Sequence, residues 1–105
     1  MDEVPLNSHE VKALISVCLE AGRVIFLPHA RREMAKDNLT EAEIIAVARG
    51  GIVEPAEFEN SAWRYRIRLV RAAGRALVTT YCVVEFEQRH EMWTLVVTAW
   101  KKTER

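Results

Sequence analysis

Apolar positions recur at two different periods along the chain, and the change of period divides it. Val11, Leu14, Ile15, Cys18 and Leu19 follow helical spacing, so they share one face of an amphipathic helix. Asn7 is a good N-cap for it, with Glu10 three residues on as a capping box and Leu6 and Val11 as the staple pair. Gly22 ends the run. Arg23 to Pro28 reads as a short extended segment closed by proline, and His29 to Lys36 as a shorter helix with Ala30 and Met34 on one face. A second strong helix opens at Thr40, with Glu43 completing a capping box and Leu39 facing Ile44. Ile44, Ile45, Val47 and Ala48 form its buried stripe, and Gly50-Gly51 stop it.

After Gly51 the period falls to two. Ile52 to Phe58 is a weak strand broken at Pro55, hence an edge. From Trp63 to Leu69 apolar residues alternate with arginines, the signature of a strand with two unlike faces. Ala72-Ala73-Gly74 suits a three-residue hairpin loop, Ala76 to Phe86 is a β-rich run, Glu87 to Glu91 is a polar reversal, and Trp93 to Trp100 is the last strand. Helices first and a meander afterwards give an α+β domain, with N-terminal helices packed on one face of a C-terminal antiparallel β-sheet. No linker or repeat interrupts residues 1–105, which read as a single domain.

The turns set an expected register. Arg71 opposite Arg75 places Arg66 beside Thr80, and Glu87 opposite Glu91 places Thr80 beside Thr98. One row then reads Arg66, Thr80, Thr98, flanked by Arg64, Arg68, Cys82 and Val96. The other face carries Trp63, Tyr65, Ile67, Leu69, Leu77, Tyr81, Val83, Trp93, Leu95 and Val97 and receives the helices. A slip of one residue would exchange the faces of a strand and bring Tyr81 to the arginines.

Composition adjusts this picture little. Half of the 105 residues are hydrophobic and 29% are charged, enough for one core and too apolar for a disordered tail. Two cysteines in apolar runs do not make a disulfide framework, and the acidic start lacks a signal-peptide core, so a reducing, cytoplasmic setting is expected. Ala76 to Val84, the longest uncharged apolar stretch, is too short to span a membrane. Net charge is zero, which speaks against a nucleic-acid binder, but its distribution is uneven. Residues 1–59 hold 6 basic and 11 acidic side chains (net −5), and residues 60–105 hold 9 and 4 (net +5). A basic working face and a simple attraction between the two halves explain that asymmetry equally well.

Arg64, Arg66 and Arg68 sharing an open face with hydroxyls suit a phosphodiester, whose oxygens guanidinium groups hold bidentately. The competing reading is a solvated stripe, or one paired with the acidic first half. His29, with Arg31 and Arg32 beside it, could exchange protons with a ribose hydroxyl or a leaving oxygen, or could simply start a helix. The histidines and cysteines lack metal-ligand spacing, and no glycine-rich loop precedes a helix. Neither a metal nor another cofactor is expected. Glu54, Glu57 and Glu59 read as a solvated edge, and Cys82 as a filler of the core or sheet.

His29-Ala30-Arg31-Arg32-Glu33-Met34, followed by Leu39 to Ile44 and Gly50-Gly51, resembles an uncharacterised bacterial domain family. That family opens with His-Ala-x-x-x-Met and ends in a strand like Leu95 to Trp100. The layout is also similar to the motility quorum-sensing regulator (MqsR) toxins within the RelE/barnase-like ribonucleases, through Val11 to Leu14, Gly22, Trp63, Gly74 and Lys101. That resemblance implies a RelE/barnase-like fold and a metal-independent endoribonuclease that cuts messenger RNA and is neutralised by a cognate antitoxin protein. Matched on Trp63 and Gly74, the toxins' lysine, glutamine and tyrosine fall on Asn60, Arg64 and Leu77, so a nuclease here needs a different set.

The set expected is His29 as general acid/base, Arg66 on the scissile phosphate and Thr98 orienting it, with Arg64, Arg68, Thr80 and Lys101 holding RNA. The alternatives are a non-catalytic protein- or RNA-binding module on the same scaffold, and a small-molecule sensor built on Trp63, Tyr65, Tyr81, Trp93 and Trp100.

Overall fold

Local capping chemistry starts two of the three helices among the described residues. The computed structural model describes residues 4–104, and the side chains of all of these except Arg89 and residues 100–104. Helix α1 (Ser8–Glu20) begins at Asn7 and helix α3 (Glu41–Gly50) at Thr40, each through a complete capping box with Glu10 or Glu43. Helix α2 (Pro28–Lys36) has no side-chain cap and starts instead with proline at its first position, where the ring's fixed φ is already helical. Gly22 (φ 70°) and Asn38 (φ 54°) take the left-handed conformation just beyond α1 and α2, closing both helices.

The strands are β1 (Val24–Phe26), β2 (Ile52–Val53), β3 (Glu57–Glu59), β4 (Ala62–Ala73), β5 (Ala76–Arg89) and β6 (Met92–Glu104). They form a sheet of order β1-β6-β5-β4-β2, with β3 also pairing β4. Every pairing is antiparallel except β1 with β6. The expected α+β architecture, helices on one face of a mostly antiparallel sheet, is the one observed. The weak edge segment is interrupted at Pro55 as expected, into β2 and β3.

The hairpins differ from expectation in a way that reaches the site. Gly74 and Arg75 make a two-residue turn with Ala73 opposite Ala76, and glycine takes the first position at φ 64°, as a II′ turn requires. His90 and Glu91, at φ 51° and 65°, make the next turn, with Arg89 opposite Met92. Each turn lies later in the chain than the pattern suggested, so each register is displaced by three residues. Arg66 therefore faces Val83 and not Thr80, and Thr98 faces Val83 and not Thr80.

A three-residue displacement is odd, so it exchanges the faces of β5. Tyr81, Val83 and Leu77 join the arginine face, while Thr80 and Cys82 enter the core. The second displacement restores parity, so Leu95 and Val97 are core residues as expected, Val96 flanks the arginine face, and Thr98 remains on it. The misreading arises because β5 is apolar on both sides: Val78, Cys82, Val84 and Phe86 alternate with Leu77, Tyr81 and Val83.

One hydrophobic cluster joins the layers. Val11, Ile15 and Cys18 of α1, Met34 of α2, and Ile44, Val47 and Ala48 of α3 pack on Tyr65, Ile67, Cys82, Val84, Leu95, Val97 and Ala99. Lys12 of α1 donates to the carbonyls of Ala48 and Arg49 at 2.9 and 2.8 Å, satisfying acceptors that the end of α3 would leave open. Partial burial holds the Lys12 ammonium below its usual pKa.

Candidate nucleic-acid interface

Alternation along β4 sends Arg64, Arg66 and Arg68 to the sheet face opposite the helices, and β2 brings them a carboxylate. Glu54 continues the β2–β4 ladder, its N–H donating to the carbonyl of Arg66 at 2.8 Å. Its side chain thus projects beside the arginines. Arg66 Nε donates to Glu54 Oε1 at 2.5 Å, and Arg68 Nε lies 3.0 Å from Glu54 Oε2. One carboxylate therefore bridges two guanidiniums, and at 18% side-chain exposure it is the least accessible of the three. The hydrogen bond to Glu54 pushes the Arg66 pKa further up, so this guanidinium stays charged.

Two further pairs complete the cluster. Arg64 Nε donates to Glu85 Oε1 at 2.5 Å, and Arg64 Nη1 lies 3.6 Å from Glu59 Oε2. Three guanidiniums meet three carboxylates and Glu57 adds a fourth nearby, so the cluster has no positive excess. Beside it the Arg66 guanidinium carbon lies 5.7 Å from the centre of the Tyr81 ring, within cation–π range. Pro55, Glu57, Glu59, Arg64, Arg66 and Val83 line a shallow recess of about 130 Å³.

The expected residues are only partly assembled here. Arg64, Arg66 and Arg68 lie side by side. Thr98 is on the same face and two strands from Arg66, about 10 Å at ordinary strand spacing. Thr80 is on the helix side and only 3% exposed, a consequence of the displaced register, so it does not join the arginine row. Lys101 pairs with Thr80 across β5 and β6, and its side chain lies outside the described residues.

His29 is exposed in the first turn of α2, in the helix layer. The strand leading into that helix, β1, is three strands from β4, about 14 Å away, so His29 and Arg66 are not brought together. Sequence reasoning treated Glu54 as a solvated edge residue. Antiparallel pairing of Ile52-Val53 with Ile67-Arg68 would have placed it opposite Arg66.

Other chemistry has little foothold. Among the described residues no group of three or more His, Cys, Asp or Glu side chains is arranged to hold a metal ion, and no helix is long and apolar enough to cross a membrane. Cys82 is fully buried, and burial pushes its thiol pKa up to about 12, which keeps it protonated and unreactive. The model of a family described as a domain of unknown function (DUF4258) matches residues 26–101. No curated protein and no solved structure matches the chain.

Proposed function

The chain belongs to the DUF4258 family, and we propose that it is a cytoplasmic, metal-independent endoribonuclease working at the arginine face of its sheet. The observation that carries the reading is the Glu54 carboxylate held between Arg66 and Arg68 on an open face. A carboxylate poised among fixed guanidiniums has the parts that RNA transesterification needs. Glu54 takes the proton of a ribose 2′-hydroxyl, and the 2′-oxygen bonds to the adjacent phosphorus. The bond to the 5′-oxygen breaks, leaving a 2′,3′-cyclic phosphate, and solvent protonates the departing oxygen. Arg66 and Arg68 offset the charge gathered on the phosphoryl oxygens.

Arg64 and Thr98 would track the flanking backbone, whereas Lys101, paired with the helix-side Thr80, is not on this face. Distance from the arginines leaves no part in the proton transfer for His29. A layout of helices backing an antiparallel sheet, together with the resemblance to the RelE/barnase-like toxins, supports a toxin held in check by a protein antitoxin.

The test is incubation of an end-labelled messenger RNA with purified protein in excess EDTA. Discrete fragments are expected, lost with Glu54→Gln and Arg66→Ala and retained with His29→Ala. Intact RNA from folded protein at high concentration overturns the reading.

A second reading has its own observation. Each arginine of the stripe already has a carboxylate partner, so the face has no positive excess and suits a non-catalytic binding module. Under it RNA or a partner protein is retained without cleavage, and Glu54→Gln strengthens RNA retention by freeing two cations.

A further inference from the structure

The helix layer is shorter than the sheet it covers. Helix α1 has 13 residues, about 20 Å of rise, whereas β5 has 14, about 46 Å if fully extended. At the end bearing the β3–β4 and β5–β6 turns, the apolar sheet face is incompletely covered and leaves Trp93 exposed. Trp63 and Phe86 lie there half-buried against the core, with Trp93 near them and Phe58 beside Trp63. Segment 4–6 closes one side and Leu14 of α1 the other, leaving a cavity of about 620 Å³.

The lining side chains of this cavity are mostly aromatic and aliphatic. Phe58 and Trp63 meet edge to face with centroids 5.1 Å apart, and Tyr65 and Phe86 are tilted at 5.9 Å. Among the described residues no lining side chain is charged; those with polar atoms are Ser61, Tyr65 and the tryptophans Trp63 and Trp93. The Tyr65 hydroxyl accepts the Leu6 N–H at 3.0 Å, which leaves its own proton to be donated. At the mouth Phe58 and Trp93 are 52% and 40% exposed, a costly arrangement for large rings unless something stacks on them.

The size is that of small-molecule sites, which are mostly apolar with a few placed polar groups. An extended peptide would bring an amide at every residue, more than the hydroxyls of Ser61 and Tyr65 and the indole N–H groups of Trp63 and Trp93 can satisfy. We propose that the cavity is a binding site for a small, uncharged, planar aromatic compound that stacks among Phe58, Trp63 and Trp93 and accepts a hydrogen bond from Tyr65. It opens on the opposite sheet face from Glu54, so this binding is independent of anything the arginines do.

The experiment is a fluorescence titration of the full chain with N-phenyl-1-naphthylamine, a neutral aromatic probe that brightens in apolar sites. Saturable one-to-one binding is expected, weakened roughly two- to tenfold by Trp63→Ala, the worth of one aromatic contact. Leu14→Trp should abolish binding by filling the cavity while keeping the circular dichroism and melting temperature of the parent. Arg66→Ala should bind as the parent does. Non-saturable binding, or undiminished binding by folded Leu14→Trp, overturns the assignment. So does a concentration-dependent dimer that excludes the probe, because a second copy would then be the occupant.

Discussion

Two adjacent glycines should respond to alanine in opposite directions. Gly51 is buried where α3 meets β4, and its backbone (φ −79°, ψ 174°) is open to any residue, so the demand is for space alone. A Cβ there would lie 2.6 Å from the Arg68 carbonyl oxygen, 2.7 Å from Ile67 Cγ2 and 2.7 Å from the Val47 carbonyl oxygen. Two of those atoms are backbone, and Val47 O also accepts the Gly51 N–H at 2.8 Å, so relief requires α3 to lift from the sheet. Overpacking of this kind costs about 3 kcal/mol. The lower entropy of the unfolded alanine chain offsets roughly 0.4–1 kcal/mol of it, leaving a net loss of about 2 kcal/mol.

At Gly50, the last residue of α3, nothing lies within 4 Å of an added Cβ. Alanine there should gain roughly 0.5–1 kcal/mol from helix propensity. Urea unfolding of both variants beside the parent measures the pair. Gly51→Ala should lower the melting temperature by about 8–16 °C, and Gly50→Ala should raise it by a few degrees, roughly. Gly51→Ala within about 0.5 kcal/mol of the parent, or two shifts of the same sign, would refute the reasoning.

Three further outcomes follow from local chemistry. Thr40→Ala removes the hydroxyl that accepts the Glu43 N–H at 3.1 Å and should cost about 1 kcal/mol in urea unfolding. Glu91→Gly relieves a left-handed residue at φ 65° in a two-residue turn and should stabilise by roughly 0.5–1 kcal/mol, read as a raised melting temperature. Cys82 goes from 9.0 to about 12 on folding. Between those values the unfolded chain loses the thiol proton and the folded chain keeps it, so stability should fall as pH rises through that window. The slope approaches about 1.4 kcal/mol per pH unit, and Cys82→Ala should flatten it in unfolding curves taken from pH 8 to 11.

The helices were legible because their signals are local. Asn7 with Glu10 and Thr40 with Glu43 act within one turn, and Val11, Ile15 and Cys18 mark a buried face by spacing alone. The alternation on β4 was equally readable, since Ile67 between Arg66 and Arg68 has one sensible orientation. Pro55 likewise marked where the edge strand had to break. With β5 the signal failed: apolar residues fill both of its faces, so Tyr81 and Cys82 could be placed only once the turns were known.

The sequence by itself therefore determined the element types, their order and the face on which Arg64, Arg66 and Arg68 stand, because helix caps and side-chain alternation are properties of neighbouring residues. Tertiary structure alone decided that Tyr81 comes to Arg66, that Thr80 is buried, and that Glu54 lies between two arginines. It also decided that Trp93 stays exposed while Trp63 is half-buried against the core. Each of these depends on where a turn lies or how far one layer extends over another. Those are settled by the summed packing of residues distant in the chain, which leaves no mark in any short stretch of sequence.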